Sequence, residues 1–283
     1  MITATNTLSQ LQKQMDIISN NIANVDTNGY KRKEAQFTDL LSQQFNNQPV
    51  AKNELGRMSN EAGRLTPNGI RQGTGAKIAQ SKVVMTQGVI KTTSRSLDAA
   101  FTKEGQMLKV LVQKGNETEI NYTRNGALYL SPVSDNEVML VNGDGYPVLD
   151  ENDNPISITG DVKDYTITEN GQLVANRRNG GTQTFNLGVI QVNKPQFLEQ
   201  KGDNLYGMPS NYAELDATVE DIITDLNGPL RNQIGIQGGA LEGSNVDLSK
   251  EMTDLMNVQR AYQFQSRSVT LADQMMGLVN GIR

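Results

Sequence analysis

The sequence contains no cysteine, no histidine and no tryptophan. Without cysteine there is no disulfide, and without cysteine and histidine there is no Cys/His zinc site, no Ser-His-Asp triad and no histidine general base. Most enzyme chemistry is thereby excluded. Aromatic residues make up only 5% of the chain and apolar residues 36%, thin material for one large compact core, and the length of 283 residues suggests about two domains. Basic charge is also in short supply. The 26 Lys and Arg face 31 Asp and Glu, a formal charge of -5, so nucleic acid, which selects a basic surface, is not an expected partner. No stretch reaches the ~18 to 20 consecutive apolar residues of a membrane span, so no transmembrane segment is expected. Nor does the amino terminus carry a basic segment followed by a continuous apolar one. If the chain leaves the cytoplasm, a cleaved secretory signal is not expected to take it there.

What is present begins at the ends. Ala4, Leu8, Leu11, Met15, Ile18, Ile22 and Val25 are separated alternately by four and three positions, a 3.5-residue repeat that places them on one stripe of a helix. No Pro or Gly interrupts this run before Asn28-Gly29, which supplies a helix stop or tight turn. The pattern returns in Leu248, Leu255, Val258, Tyr262, Val269, Ala272, Met276 and Val279, with Glu251 and Gln265 at the intervening seam positions. Ser244 followed by Asp247 reads as a capping box that puts Leu248 in the first turn. A lone helix of this kind is marginal in water, so both stripes need partners, and the simplest partner of each is the other. Acidic and basic residues are balanced at both ends, which leaves apolar burial to drive the pairing.

Between the helices the period changes to 2. Residues 107–112, 119–124, 127–131, 138–142, 165–168, 172–175 and 185–192 read as strands. Asn125-Gly126, Asn142-Gly143, Asp144-Gly145, Asn170-Gly171 and Asn179-Gly180-Gly181 read as turns, pairs whose residues tolerate positive φ in tight hairpins. Residues 43–75, rich in Gln, Asn, Gly and Arg, read as a long connector. The expected fold is mainly β with terminal α-helices, the two helices paired as a coiled coil around a central antiparallel β domain. Its parts are residues 1–42 and 240–283 (helical), 43–75 (extended connector) and 76–239 (β-rich).

The most specific string runs from Ser19 to Arg32 and includes Asn20, Asn21, Asn24, Gly29 and Tyr30. It resembles the amino-terminal signature of bacterial flagellar rod and hook proteins, the axial components of the basal body. A second string, with Leu241, Glu242, Ser244, Asn245 and Val246 followed by Glu251-Met252 and Gln259-Arg260-Ala261-Tyr262-Gln263, is similar to the carboxy-terminal signature of that family. Leu97-Asp98, Thr86-Gln87-Gly88, Tyr122-Thr123-Arg124-Asn125-Gly126 and Gly145-Tyr146-Pro147-Val148-Leu149-Asp150 resemble it in the middle. The chain is most similar to the distal-rod, FlgF/FlgG-like members and, through its length and Phe185-Asn186-Leu187-Gly188-Val189-Ile190-Gln191-Val192, to the FlhO type of Bacillus-like bacteria. Members usually carry a basic and aromatic turn before the Ala-Thr segment, whereas Met1-Ile2-Thr3-Ala4 opens almost at the heptads. A shortened natural start is therefore expected.

The resemblance implies a structural subunit that polymerises into a helical tube and transmits motor torque, exported by the flagellar type III apparatus. It implies copies of the chain itself and other rod and hook proteins as partners. Its place would be the basal body, outside the cytoplasm and within the cell envelope, with no cofactor and no catalysis. Heterologous contacts between successive subunits are what grow such a tube. The alternatives are a hook protein of the same axial family and a cell-surface binding module with oligomerising helices. A wall-cutting enzyme built on a carboxylate pair finds no spacing that singles out two among Asp98, Glu104, Asp203 and Glu214. Asp150, Asn152, Asn154 and Asp161 imitate a calcium loop, but Pro155 stands where that loop turns on Gly, so a polar hairpin loop is expected. Gly73-Thr74-Gly75 lacks the further Gly and the Lys of a phosphate cradle. Met252, Met256, Met275 and Met276 read as adaptable helix packing.

Overall fold

The computed structural model describes residues 2–39, 42–44, 71–73, 76–115, 117–202, 204–209 and 218–281. The helical periodicity at both ends is realised as the helices Ile2–Ala23 and Leu248–Gly281, of 22 and 34 residues. Among the described residues every paired strand is antiparallel to its neighbour wherever a register is defined. The chain divides into two compact units. One contains Met1–Ile17, Ala35–Ser81 and Asp254–Arg283; the other contains Ile18–Glu34 and Lys82–Thr253.

The second unit is built on a six-stranded sheet in the order Glu199–Gly202, Leu205–Gly207, Glu117–Thr123, Gln106–Lys114, Val189–Val192, Ile223–Asp225. Alternate side chains of a strand leave opposite faces, and here both faces are covered. Leu108, Val110 and Val189 enter a large core with Leu128, Leu140, Leu173 and Ile236, while Met107, Ile190 and Val192 enter a smaller one with Tyr122, Tyr206 and Ile222. Two three-stranded sheets join the large core: Ser157–Thr159, Glu137–Val141 and Tyr129–Ser134, and Val162–Ile167, Gln172–Arg177 and Thr182–Asn186. Two short ribbons complete the unit, Ala99–Phe101 with Ile236–Gly238, and Ile90–Thr92 with Ala240–Glu242.

In the first unit Ser42–Gln44 pairs with Arg71–Gly73, Gln44 opposite Arg71, so the two ends of the connector meet as a ribbon. Residues 45–70, most of the connector, lie outside the described residues.

Several local readings are corrected. Residues 185–192 are not one strand. Thr182–Asn186 and Val189–Val192 belong to different sheets, and the chain passes between them at Gly188, where a Cβ would stand 2.5 Å from the Asp150 carbonyl oxygen. Gly126 does not adopt positive φ. It is required because a Cβ there would stand 1.7 Å from the Ala99 carbonyl oxygen, whereas Gly145, Gly171 and Gly180 have the expected φ of 84°, 71° and 86°. Ser244 is not the helix cap. Asp247 takes that role, its Oδ1 accepting from the backbone N–H of Ser249 at 2.9 Å and Lys250 at 3.2 Å, and Leu248 is the first helical residue. Asp150 Oδ1 accepts from the N–H groups of Asn152 and Asn154, both at 2.8 Å, and closes a polar loop.

Candidate functional site

The predicted stripe on the carboxy-terminal helix is the covered one over five positions: Val258 is buried, and Leu255, Tyr262, Val269 and Ala272 are half-buried. Leu248, Met276 and Val279 are exposed, since the covered face ends at Ala272 and Leu248 sits in the first turn. On the amino-terminal helix Ile18 is buried and Leu8, Leu11, Met15 and Ile22 are half-buried. Val25 is half-buried but lies in the turn after the helix, which ends at Ala23.

The two terminal signatures converge on one buried polar cluster within the second unit, centred on Glu242. The short ribbon with Ile90–Thr92 places Glu242 opposite Ile90 and turns its side chain inward. Its Oε1 accepts from Lys31 Nζ at 2.7 Å and from the Gly88 N–H at 2.8 Å, and its Oε2 accepts from Arg124 Nε at 2.6 Å. The three side chains are 0 to 1% exposed. Lys31 also donates to the Thr86 carbonyl at 2.8 Å, and Arg124 Nη1 to the Gln106 carbonyl at 2.6 Å, while the guanidinium lies 4.9 Å from the centre of the Phe101 ring. Burial alone would push the Glu242 carboxyl up, but the facing Arg124 and Lys31 outweigh it and hold the group below the usual carboxylate range. Burial lowers both cations, and the carboxylates of Glu242 and Glu104 oppose that trend. Ions removed from water need such partners, and removing one of them typically costs about 3–5 kcal/mol.

The backbone is drawn in as tightly. Gly29 N–H donates to the Glu242 carbonyl at 2.8 Å, with φ +72°, and a Cβ there would lie 2.6 Å from the Asn125 nitrogen. Gly88 approaches so closely that a Cβ would lie 2.0 Å from the Gly243 oxygen.

A second carboxylate completes the cluster. Glu251, in the first turn of the carboxy-terminal helix, accepts from Asn21 Nδ2 at 3.1 Å and from Arg32 Nη1 at 3.3 Å. Asn21 also bridges to Lys33, accepting from its N–H at 3.0 Å and donating to its carbonyl at 2.9 Å. The Tyr30 hydroxyl donates to Asn20 Oδ1 at 2.8 Å and Asn21 Oδ1 at 3.1 Å; burial, and then the charge of Glu251, push its pKa up to about 12. Asn245 Oδ1 accepts the Arg32 N–H at 2.7 Å, and its Nδ2 donates to the Val84 carbonyl at 2.9 Å.

Thus Asn20, Asn21, Gly29, Tyr30, Glu242 and Asn245 meet as parts of one clasp. Asn24 binds locally to the Asn20 carbonyl at 2.8 Å and accepts from Thr27 at 3.1 Å. Ser244 accepts from the Val246 N–H at 3.3 Å, and Leu241 pairs with Lys91 in the ribbon. Sequence reasoning did not single out Lys31, Arg32, Arg124, Gly88 or Glu251 as site residues. Its available signals were a carboxylate standing in an apolar seam, at Glu251, and an Arg inside a specific string, at Arg124.

Both clasp carboxylates are engaged in joining distant segments of the chain, which defines a class of architecture: two terminal helices rooted in a β body. The comparisons agree. Residues 1–31 match the family described as "Flagella basal body rod protein", residues 106–175 "Flagellar hook protein FlgE/F/G D1 domain", and residues 237–282 "Flagellar basal body rod FlgEFG protein C-terminal". The chain is 46% identical to the flagellar hook-basal body complex protein FlhP of Bacillus subtilis, over 100% of this chain and 98% of that protein. It is 34% identical to the flagellar basal-body rod protein FlgG of Agrobacterium fabrum and 30% to FlgG of Bacillus subtilis, in each case over 95% of this chain and 93% of the relative. The chain belongs to the flagellar basal-body rod family, of FlgF/FlgG type. It is a structural protein of the flagellar basal body, within the cell envelope, and not an enzyme. The expected likeness to FlhO is met at the level of this family, and the Bacillus hook-basal body relative reported above is FlhP.

Proposed function

We propose that the chain is a distal-rod subunit that polymerises through its terminal helices into a helical tube and transmits motor torque along it. One observation carries this reading. The carboxy-terminal helix bears a second apolar stripe, Phe264, Leu271, Met275 and Leu278, which is 73%, 59%, 62% and 69% exposed. At 3.6 residues per turn it lies roughly 140° around the helix from the covered stripe of Val258, Tyr262 and Val269. A helix apolar on two faces belongs in the interior of an assembly. Covering these four side chains offers on the order of 5 kcal/mol per subunit before ordering entropy is subtracted.

In this reading the covered stripes of the two helices pair as a coiled coil, and the exposed stripe takes neighbouring copies or other rod and hook subunits. The helices Ile2–Ala23 and Leu248–Gly281 form the helical layer, and the strands of residues 76–239 form the β body. Export through the flagellar type III apparatus suits a chain without disulfides, which can be threaded unfolded. The test is the double variant Phe264→Asp with Leu271→Asp. It should fold with stability changed by no more than about 0.5 kcal/mol yet be absent from purified basal bodies. Normal incorporation and motility would refute the reading. Electron microscopy of basal bodies from cells lacking the chain places it on the axis: a shaft ending within the rod supports the distal-rod position, and a complete rod lacking only its hook refutes it.

A further inference from the structure

Every side chain of the clasp comes from one chain and lies in the unit that holds the β body. That unit includes the end of the amino-terminal helix, residues 18–23, and the start of the carboxy-terminal helix, residues 248–253. In the single chain the Lys31 and Glu242 side chains are already 0% and 1% exposed and that of Glu251 3%. A residue that serves contact between subunits is exposed until the neighbour arrives, as Phe264 and Leu278 are at 73% and 69%. Lys31, Arg124, Glu242 and Glu251, the charged centre of the clasp, have no such surface left to give.

We infer that the signature strings at the two chain ends act inside each subunit, as a lock that sets the roots of both terminal helices before any neighbouring copy docks. Starting a helix in water is the unfavourable step, by a factor of about a thousand relative to extending one. The lock removes that step. Asn21 and Glu251 hold one another at 3.1 Å, so each root is fixed by the other, and Glu242 ties both to the strands through Lys31 and Arg124. Helix growth toward a docking neighbour then starts from a formed nucleus, and only in a subunit whose β body has folded. The inference holds for any position along the flagellar axis, so its failure would leave the rod assignment standing.

The test is hydrogen exchange, followed by mass spectrometry, on the full-length chain at concentrations where it is monomeric. Amides of residues 18–23 and 248–253 should be protected to a degree comparable with the strand Gln106–Lys114. Asn21→Ala and Glu251→Gln should each accelerate exchange in both roots together, by about tenfold or more, with the Gln106–Lys114 strand unaffected. Phe264→Asp should leave exchange in the roots unchanged. Roots that exchange as fast as an unstructured peptide in the monomer, and slow only after polymerisation, would overturn the inference. So would an Asn21→Ala effect confined to residues 18–23. Should either clasp variant fail to fold, the wild-type exchange pattern alone decides.

Discussion

Replacing Gly29 with alanine should destabilise the β-containing unit by about 3 kcal/mol. Two terms make up the figure. With φ at +72°, an L-residue pays about 1–2 kcal/mol for the left-handed conformation. The new Cβ would also stand 2.6 Å from the Asn125 nitrogen and 2.7 Å from the carbonyl carbon of Arg124. These are backbone atoms, unable to swing aside as a side chain would, and forcing such a contact costs a further 1–3 kcal/mol, roughly. The displaced segment also carries the Arg124 side chain that holds Glu242. Gly180 is the control, because its φ is +86° and a Cβ there meets nothing within 4 Å. Gly180→Ala should therefore show the conformational term alone. The difference between the two variants should be at least ~1 kcal/mol, or roughly 2–4 °C in the midpoint for a unit of this size. Urea unfolding followed by tyrosine fluorescence measures both, since Tyr30, Tyr122 and Tyr206 are buried in this unit. Equal losses for the two variants would mean that the close approach at Gly29 carries no energy, and the reasoning about the clasp would be wrong.

Three further outcomes follow from the same geometry. Because Arg124 and Lys31 depress the Glu242 carboxyl below its ordinary 4.5, its contribution to stability is complete above that value and fades as pH falls through the lower folded-state pKa. Urea midpoints should therefore drop in acid for the native chain, with a shallower decline for Glu242→Gln, and parallel declines would contradict it. Arg124→Met strands a fully buried carboxylate and should cost about 3–5 kcal/mol. Lys109→Met removes bonds of 2.8 Å to Asp153 and Asp225, but these are 44% and 47% exposed and can rehydrate, so its cost should stay near 1 kcal/mol or less, roughly. Denaturant titration of both variants gives the comparison. Leu128→Ala, at a core position with no exposure, should cost about 2–5 kcal/mol in the same assay.

Periodicity along the chain proved legible where the structure of a single subunit satisfies it. Leu255, Val258, Tyr262, Val269 and Ala272 lie on the covered face of their helix because a 3.5-residue spacing translates directly into one side of a helix. The same spacing continues to Met276 and Val279, which stand 51% and 69% exposed. Glu251 illustrates the opposite case. In a list of seam positions it looks like an interruption, whereas its carboxylate accepts from Asn21 and Arg32. Gly126 was legible as a glycine position but for the wrong reason, since turn propensity says nothing about the Ala99 backbone that passes beside it. Residues 185–192 alternate well enough to be one strand, and nothing local marks the crossing at Gly188 under the Asp150 carbonyl.

The amino-acid sequence by itself determined that this chain carries no thiol or imidazole chemistry, that both ends are helical and that the middle is antiparallel β. These are properties of composition and of neighbouring residues, and neighbours are what a sequence displays. Tertiary structure alone decided that Lys31 and Arg124, 211 and 118 positions from Glu242, meet on its two oxygens. Which distant charges are driven together depends on how the sheets pack and where water is expelled, and no local pattern records it.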